Sequence, residues 1–195
     1  MNENLTLALW ALGRGTGVVA LVMFTLSLVL GVVARSGRAL PGLGRFGVAD
    51  LHRTAALTGT GLVLAHVVSL MFDPYAQLRV VDAVLPFLGS YRPTWLGLGT
   101  LAFDLLGVVT VVSLLRHRVG PRLFRAVHYA TYLLWPVALV HSLGTGTDAG
   151  SGWMTATAAV CTGAVAAAVA WRVLPGYGQR GWRRTPRTTP RRALP

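Results

Sequence analysis

The 195-residue sequence has no lysine, a single cysteine, and only six carboxylates against eighteen basic residues. One cysteine, Cys161, excludes an internal disulfide and any cysteine-based metal cluster, and is expected to be a small buried residue of an apolar span. Charge of both signs is scarce. Charged residues make up 12% of the chain, against roughly 25% in an ordinary soluble domain, so a water-facing surface of the usual kind is excluded. With 53% hydrophobic residues and a mean hydropathy of +0.57, the composition is that of a membrane protein.

A membrane-crossing helix needs about 20 mostly apolar residues at a rise of about 1.5 Å each. Five segments qualify, at about 17–34, 51–71, 95–115, 123–143 and 153–174. One span cannot enclose polar groups, whereas five can, so a single all-α bundle is expected over residues 1–174. The N-terminal MNENLTLALW lacks a basic region and carries Glu3, so the first run is expected to be a retained span and not a cleaved signal.

All eighteen basic residues are arginine, and fifteen of them fall in three segments. Residues 35–53 hold four, residues 116–125 four, and the chain from Arg172 onward seven. In a five-span chain these segments share one side, and only Arg14, Arg79 and Arg92 lie on the other. The positive-inside rule then puts the C-terminus in the cytoplasm and the N-terminus outside a cell membrane. Because the charge is topogenic in pattern, no nucleic-acid partner is expected; the partner it implies is the lipid bilayer. Trp95, Trp153 and Trp171 stand at span ends as interfacial anchors. The tail 175–195, rich in glycine, proline and arginine, is expected to be disordered against anionic headgroups. Segment 72–94 is the one long external loop, with room for a short interfacial helix in its middle.

The second span begins with His52 and carries His66 fourteen residues later. On an ideal helix that is a rise of about 21 Å and a rotation about 40° short of four turns, so both imidazoles face the same way at two depths. The fourth span carries His128 and His141, thirteen residues apart with Pro136 between them. An ideal helix would set these roughly 140° apart, but an internal proline kinks or retwists a helix. The two spans run in the same direction, so His52 shares a level with His128, and His66 with His141. Imidazole is a good iron ligand, and two cross-helix pairs at two depths are what two stacked haems require. Packing or proton relay is the other reading of intramembrane histidines. Gly59 and Gly61, between the histidines of the second span, either let a flat macrocycle approach or serve helix–helix packing. His117, among loop arginines, is expected to be solvated.

These features resemble the ferric reductase-like transmembrane domain, shared by ferric reductases, NADPH oxidases and the haem-binding subunit of the bacterial methionine sulfoxide reductase system. The resemblance rests on the histidine spacings of fourteen and thirteen, on GRGTG at 13–17, on LPFLGSYRP at 85–93 and on RAVHYATYLLWPVALVHSLGTGTD at 125–148. It implies two b-type haems ligated by His52, His66, His128 and His141. The family usually has six spans where this sequence shows five, and its eukaryotic members continue into a flavin and nicotinamide domain that is not seen here. The resemblance is therefore to stand-alone bacterial members. It implies an oxidoreductase component that takes electrons from a separate cytoplasmic flavoprotein or quinol and passes them to an external acceptor. Ferric chelate, oxygen, a flavin-bearing partner and an oxidised protein all remain open as that acceptor.

Haem propionates need cationic or hydrogen-bonding partners, and Arg53 and Arg125 lie close in sequence to His52 and His128; each serves equally as a topogenic charge. Arg79 or Arg92 would serve the other haem or an entering substrate. Asp104, deep in the third span, either hydrogen-bonds a neighbouring span or belongs to a proton path. The competing class of function is a haem-free scaffold or proton-conducting bundle.

Overall fold

The computed structural model describes residues 3–74, 76, 78–90, 92–175 and 177. Among the described residues seven helices follow one another: α1 Glu3–Ser36, α2 Arg45–Phe72, α3 Val80–Val84, α4 Pro93–Leu114, α5 Pro121–Tyr129, α6 Thr131–Thr145 and α7 Gly152–Val173. Among the described residues the only β pairing is an isolated bridge between Leu40 and Leu43. Five stretches are long and apolar enough to cross a membrane: α1, α2, α4, the combined α5–α6, and α7. The chain is thus a multi-pass, all-helical membrane protein. Of the tail 175–195 only Pro175 and Tyr177 are described, so its expected disorder lies outside the described residues.

Local chemistry explains most boundaries. Leu40 and Leu43 exchange backbone hydrogen bonds of 3.0 and 2.9 Å across Pro41–Gly42. Gly42 has φ +74°, as the third position of a tight turn with proline second demands, and this reverses the chain between α1 and α2. Prolines at the first helical position open α4 and α5, where a missing N–H costs nothing. Ser151 caps α7 by accepting from the Met154 N–H.

Two elements differ from the sequence expectation. α1 begins at Glu3, some fourteen residues before the apolar run at 17–34, and its 34 residues span about 51 Å. That exceeds the roughly 30 Å of a hydrocarbon core, so the helix tilts or projects beyond it. Arg14 interrupts the run but does not end the helix, because its guanidinium is ion-paired with Asp148 and lies 4.5 Å over the Trp10 ring. The fourth span, in turn, is broken at Ala130. There the N–H of Ala130 bonds to the Val127 carbonyl at 2.9 Å, one residue tighter than an α-helical bond. Pro136 lies farther along in α6; it lacks an N–H, and its ring crowds the carbonyl four residues back, at Tyr132.

The helices form two intimate sets. α1 lies along α2, and α4 along α5–α6, while α6 and α7 both rest on α1. By contrast α2 is not closely packed on α4, α5 or α6. The densest cluster joins Leu21 of α1, Trp135 of α6 and Cys161 of α7, flanked by Phe24, Leu28 and Leu139. At its centre the Trp135 indole N–H donates to the Thr25 hydroxyl at 2.9 Å, and that hydroxyl donates to the Leu21 carbonyl at 2.8 Å. Thr25→Val keeps the side-chain volume and removes the hydroxyl that accepts the indole N–H. It should lower stability by about 0.6–2 kcal/mol, read as a fall in the thermal midpoint in detergent; an unchanged midpoint would show the bond contributes nothing.

Between α2 and α4 the chain folds back over α4. Arg79 donates to Asp82 through its guanidinium at 2.9 and 2.8 Å, which holds the Asp82 carboxyl below its usual range.

Candidate metal centre of two histidine pairs

The four histidines meet across the interval between α2 and α5–α6. His52 and His128 have ring centroids 6.1 Å apart with planes at 82°. His66 and His141 have centroids 6.5 Å apart with planes at 81°. All four rings are half-buried. Two pairs form at two levels although His128 and His141 would point in different directions on an unbroken ideal helix. The break at Ala130, together with Pro136, separates the two residues and absorbs the rotation. His117 is exposed in the turn after α4 and joins neither pair.

Three of the rings are seated in the same way. The Nδ1 of His66 bonds to the carbonyl of Gly13 at 2.5 Å, and a Cβ on Gly17 would stand 3.0 Å from that nitrogen. The Nδ1 of His52 bonds to the carbonyl of Ser27 at 2.7 Å, and a Cβ on Gly31 would stand 3.1 Å from the ring. The Nδ1 of His141 bonds to the carbonyl of Trp95 at 2.8 Å, and a Cβ on Gly99 would overlap the ring. In each case a helical carbonyl accepts the imidazole N–H, and the residue four positions later, one turn on and on the same face, is a glycine that makes room for the ring. Because Nδ1 carries the proton for that bond, Nε2 is left with its lone pair free.

The seats on α1 recur at the same spacing as the histidines: Gly13 to Ser27 and Gly17 to Gly31 are both fourteen residues, matching His66 and His52 on α2. In the sequence Gly13 and Gly17 stand out only within GRGTG, as part of the family resemblance, and Ser27 and Gly31 not at all. A glycine or small residue repeated four and fourteen apart on α1 was the available signal. His128 departs from the pattern. Its Nδ1 is buried without a hydrogen-bond partner, and its ring stacks on Phe124 at 5.3 Å.

The other candidates are distributed as follows. Gly59 is buried against Phe24 of α1, where a Cβ would be 3.0 Å from the phenyl ring. Gly61 is exposed, and a Cβ there would meet nothing within 4 Å. Arg53 and Arg125 are both exposed, and Arg125 donates from Nε to the Pro121 carbonyl at 3.1 Å. Arg79 is engaged by Asp82, and Arg92 donates to the Gly144 carbonyl at 2.9 Å. Asp104 is half-buried within α4.

No curated protein and no solved structure matches the chain. A family model does, over residues 16–139. That stretch contains His52, His66 and His128 with their α1 seats from Gly17 onward, and it stops two residues before His141. Since the match takes in well over half of the chain, the chain belongs to the family of the ferric reductase like transmembrane component.

Proposed function

We propose that the chain is a di-haem electron-transfer subunit, with one b-type haem between His52 and His128 and a second between His66 and His141. A membrane redox component is what its family supplies; the ligand assignment rests on the two ring pairs. A nitrogen–metal bond of about 2.0–2.1 Å, plus about 1.1 Å from nitrogen to the centre of a ring with bonds near 1.33 Å, separates two opposed ligand rings by about 6.2–6.4 Å. The observed 6.1 and 6.5 Å bracket that value. Ligand number agrees. Among the described residues no three of His, Cys, Asp and Glu come together to hold a bare ion, and two imidazoles suit a metal whose remaining positions a macrocycle fills.

The residues present fit this group. Nε2 of each histidine is the free donor, and the carbonyl seats on Gly13, Ser27 and Trp95 fix tautomer and ring plane for three of the four. α2 is not closely packed on α5–α6, as a macrocycle lying between the histidine rings would require. When bound, a bis-imidazole haem supplies a one-electron couple with no open coordination position. Arg53 and Arg125, exposed beside the His52/His128 level, are the residues offered for carboxylates there. Gly61 is the open face of α2. The two levels lie about 21 Å apart along α2, so the chain carries donors at two depths of the membrane. In this reading the electron source is a separate cytoplasmic flavoprotein or quinol and the acceptor lies outside. Residues 1–174 form the electron-transfer domain and 175–195 a cytoplasmic tail.

A reduced-minus-oxidised spectrum of the purified chain tests the proposal: sharp b-type bands with two haems per chain are expected, and a colourless, folded protein overturns it in favour of a haem-free bundle. Orientation is tested separately. With fifteen arginines on the His52/His128 side and three on the other, a reporter fused after Pro195 should be active only in the cytoplasm; activity outside would reverse the direction of flow.

A further inference from the structure

α3 is built inside out for a helix in water. Its acidic residue, Asp82, is 4% exposed, while Val80 is 66%, Val84 57% and Leu88, just beyond the helix, 58% exposed. Val81 and Leu85 extend the same apolar surface. The polar groups turn inward: the Asp82 carboxylate accepts from the Arg79 backbone N–H at 3.2 Å as well as from its guanidinium, and the Asp82 carbonyl accepts the Thr100 hydroxyl at 2.6 Å. An amphipathic surface helix in water shows the opposite arrangement.

The depth of the segment says what covers that surface. Thr100 lies seven residues into α4, about 10 Å along its axis from Pro93, in a helix of 22 residues that crosses the membrane. The following contacts climb back toward the helix start: Phe87 lies against Gly97, and Gly89 against Leu96. From Asp82 against Thr100 the segment therefore rises along α4 through Phe87 and Gly89 toward Arg92 at the start of that helix. Its exposed apolar side chains are level with the first turns of α4 and continue the lipid-facing surface of the bundle. Non-helical chain at such depth needs its polar groups satisfied internally, and this segment meets much of that need through Asp82 and Thr100. Arg79, whose side chain is 63% exposed, has the length to reach the headgroups from there.

We propose that residues 79–88 are embedded in the bilayer leaflet at the His66/His141 end, with Val80, Val81, Val84, Leu85 and Leu88 against lipid acyl chains. This reading rests on the membrane spans alone and is independent of haem ligation. The test uses the full chain in phosphatidylcholine vesicles with a bimane probe on Val84→Cys or Leu88→Cys, each in a Cys161→Ala background, and Gly150→Cys as a water-exposed control. Lipids brominated on the acyl chain should quench the first two probes several-fold more than the control, and aqueous iodide should quench only the control. Iodide quenching at Val84 equal to that at Gly150 overturns the proposal. Protection from both quenchers that disappears on dilution of the protein in the membrane overturns it too, since a second copy would then be the occupant. Hydroxyl-radical footprinting of the unsubstituted chain in lipid nanodiscs needs no variant: Val84, Leu85 and Leu88 should stay unmodified while His117, exposed in the turn after α4, is oxidised, and oxidation of both sets in the ratio of their intrinsic reactivities overturns the proposal.

Discussion

His52→Ala and His128→Ala should each lower the haem content from about two per chain to about one, and should remove the same haem; His66→Ala and His141→Ala should remove the other. Pairing across the helices carries this expectation. The 6.1 Å and 6.5 Å ring separations join residues on different helices, whereas the histidines of one helix stand about 21 Å apart in α2. Loss of one of the two histidines that would hold a haem would alter its absorption, so the residual spectrum of each variant reports which site is damaged even where some haem is retained. His117→Ala is the internal control, since that ring is exposed and belongs to neither histidine pair; it should leave the spectrum unchanged. Haem-to-protein ratios with low-temperature difference spectra decide the matter. If His52→Ala and His66→Ala lost the same haem, the two levels would be wrongly assigned.

What the sequence made legible was what helix geometry alone determines. Fourteen residues return a side chain to nearly the same face, so His52 and His66 were readable as one face at two depths, and two parallel spans made the cross-pairs follow. Pro136 marked the fourth span as irregular, although the tight turn falls at Ala130, before the proline. The five spans were readable from hydropathy, apart from the first fourteen residues of α1. There Glu3 and Arg14 depress the local average, and the compensating partners, Asp148 and Trp10, lie elsewhere in the chain or too early to register in a window. The seats were the hardest part to see. A backbone carbonyl that accepts an imidazole has no residue identity, and only the glycine one turn later leaves a trace. Gly59 and Gly61 share a helix with His52 and His66. A ring projecting from one helix packs, however, on its neighbour, and the glycines beneath the rings are Gly17 and Gly31 on α1 and Gly99 on α4.

Gly99→Ala should abolish binding of the haem held by His66 and His141 while leaving the other in place, an effect as large as removing a ligand, from one methyl group. A Cβ at that position would lie 2.7 Å from Nδ1 and 2.9 Å from Nε2 of His141 and closer still to Cε1, so the ring must leave its place. It cannot retreat without stretching the 2.8 Å bond to the Trp95 carbonyl that fixes its tautomer. Gly17→Ala and Gly31→Ala demand less, because the nearest ring atoms would stand at 3.0 and 3.1 Å and a shift of a few tenths of an ångström relieves them. Those two should weaken haem retention by about 10–100-fold, the usual effect of disturbing a group that orients a ligand. Gly163→Ala, in α7 with open space around it, should keep both haems and gain up to about 1 kcal/mol of helix stability, as alanine does over glycine. Every variant puts the same methyl group into a helix, so a general effect on folding would move all of them together. Haem content, with far-ultraviolet circular dichroism to confirm helicity, separates the cases. Retention of both haems by Gly99→Ala would mean that the His141 ring does not rest on α4, and that the carbonyl of Trp95 does not orient it.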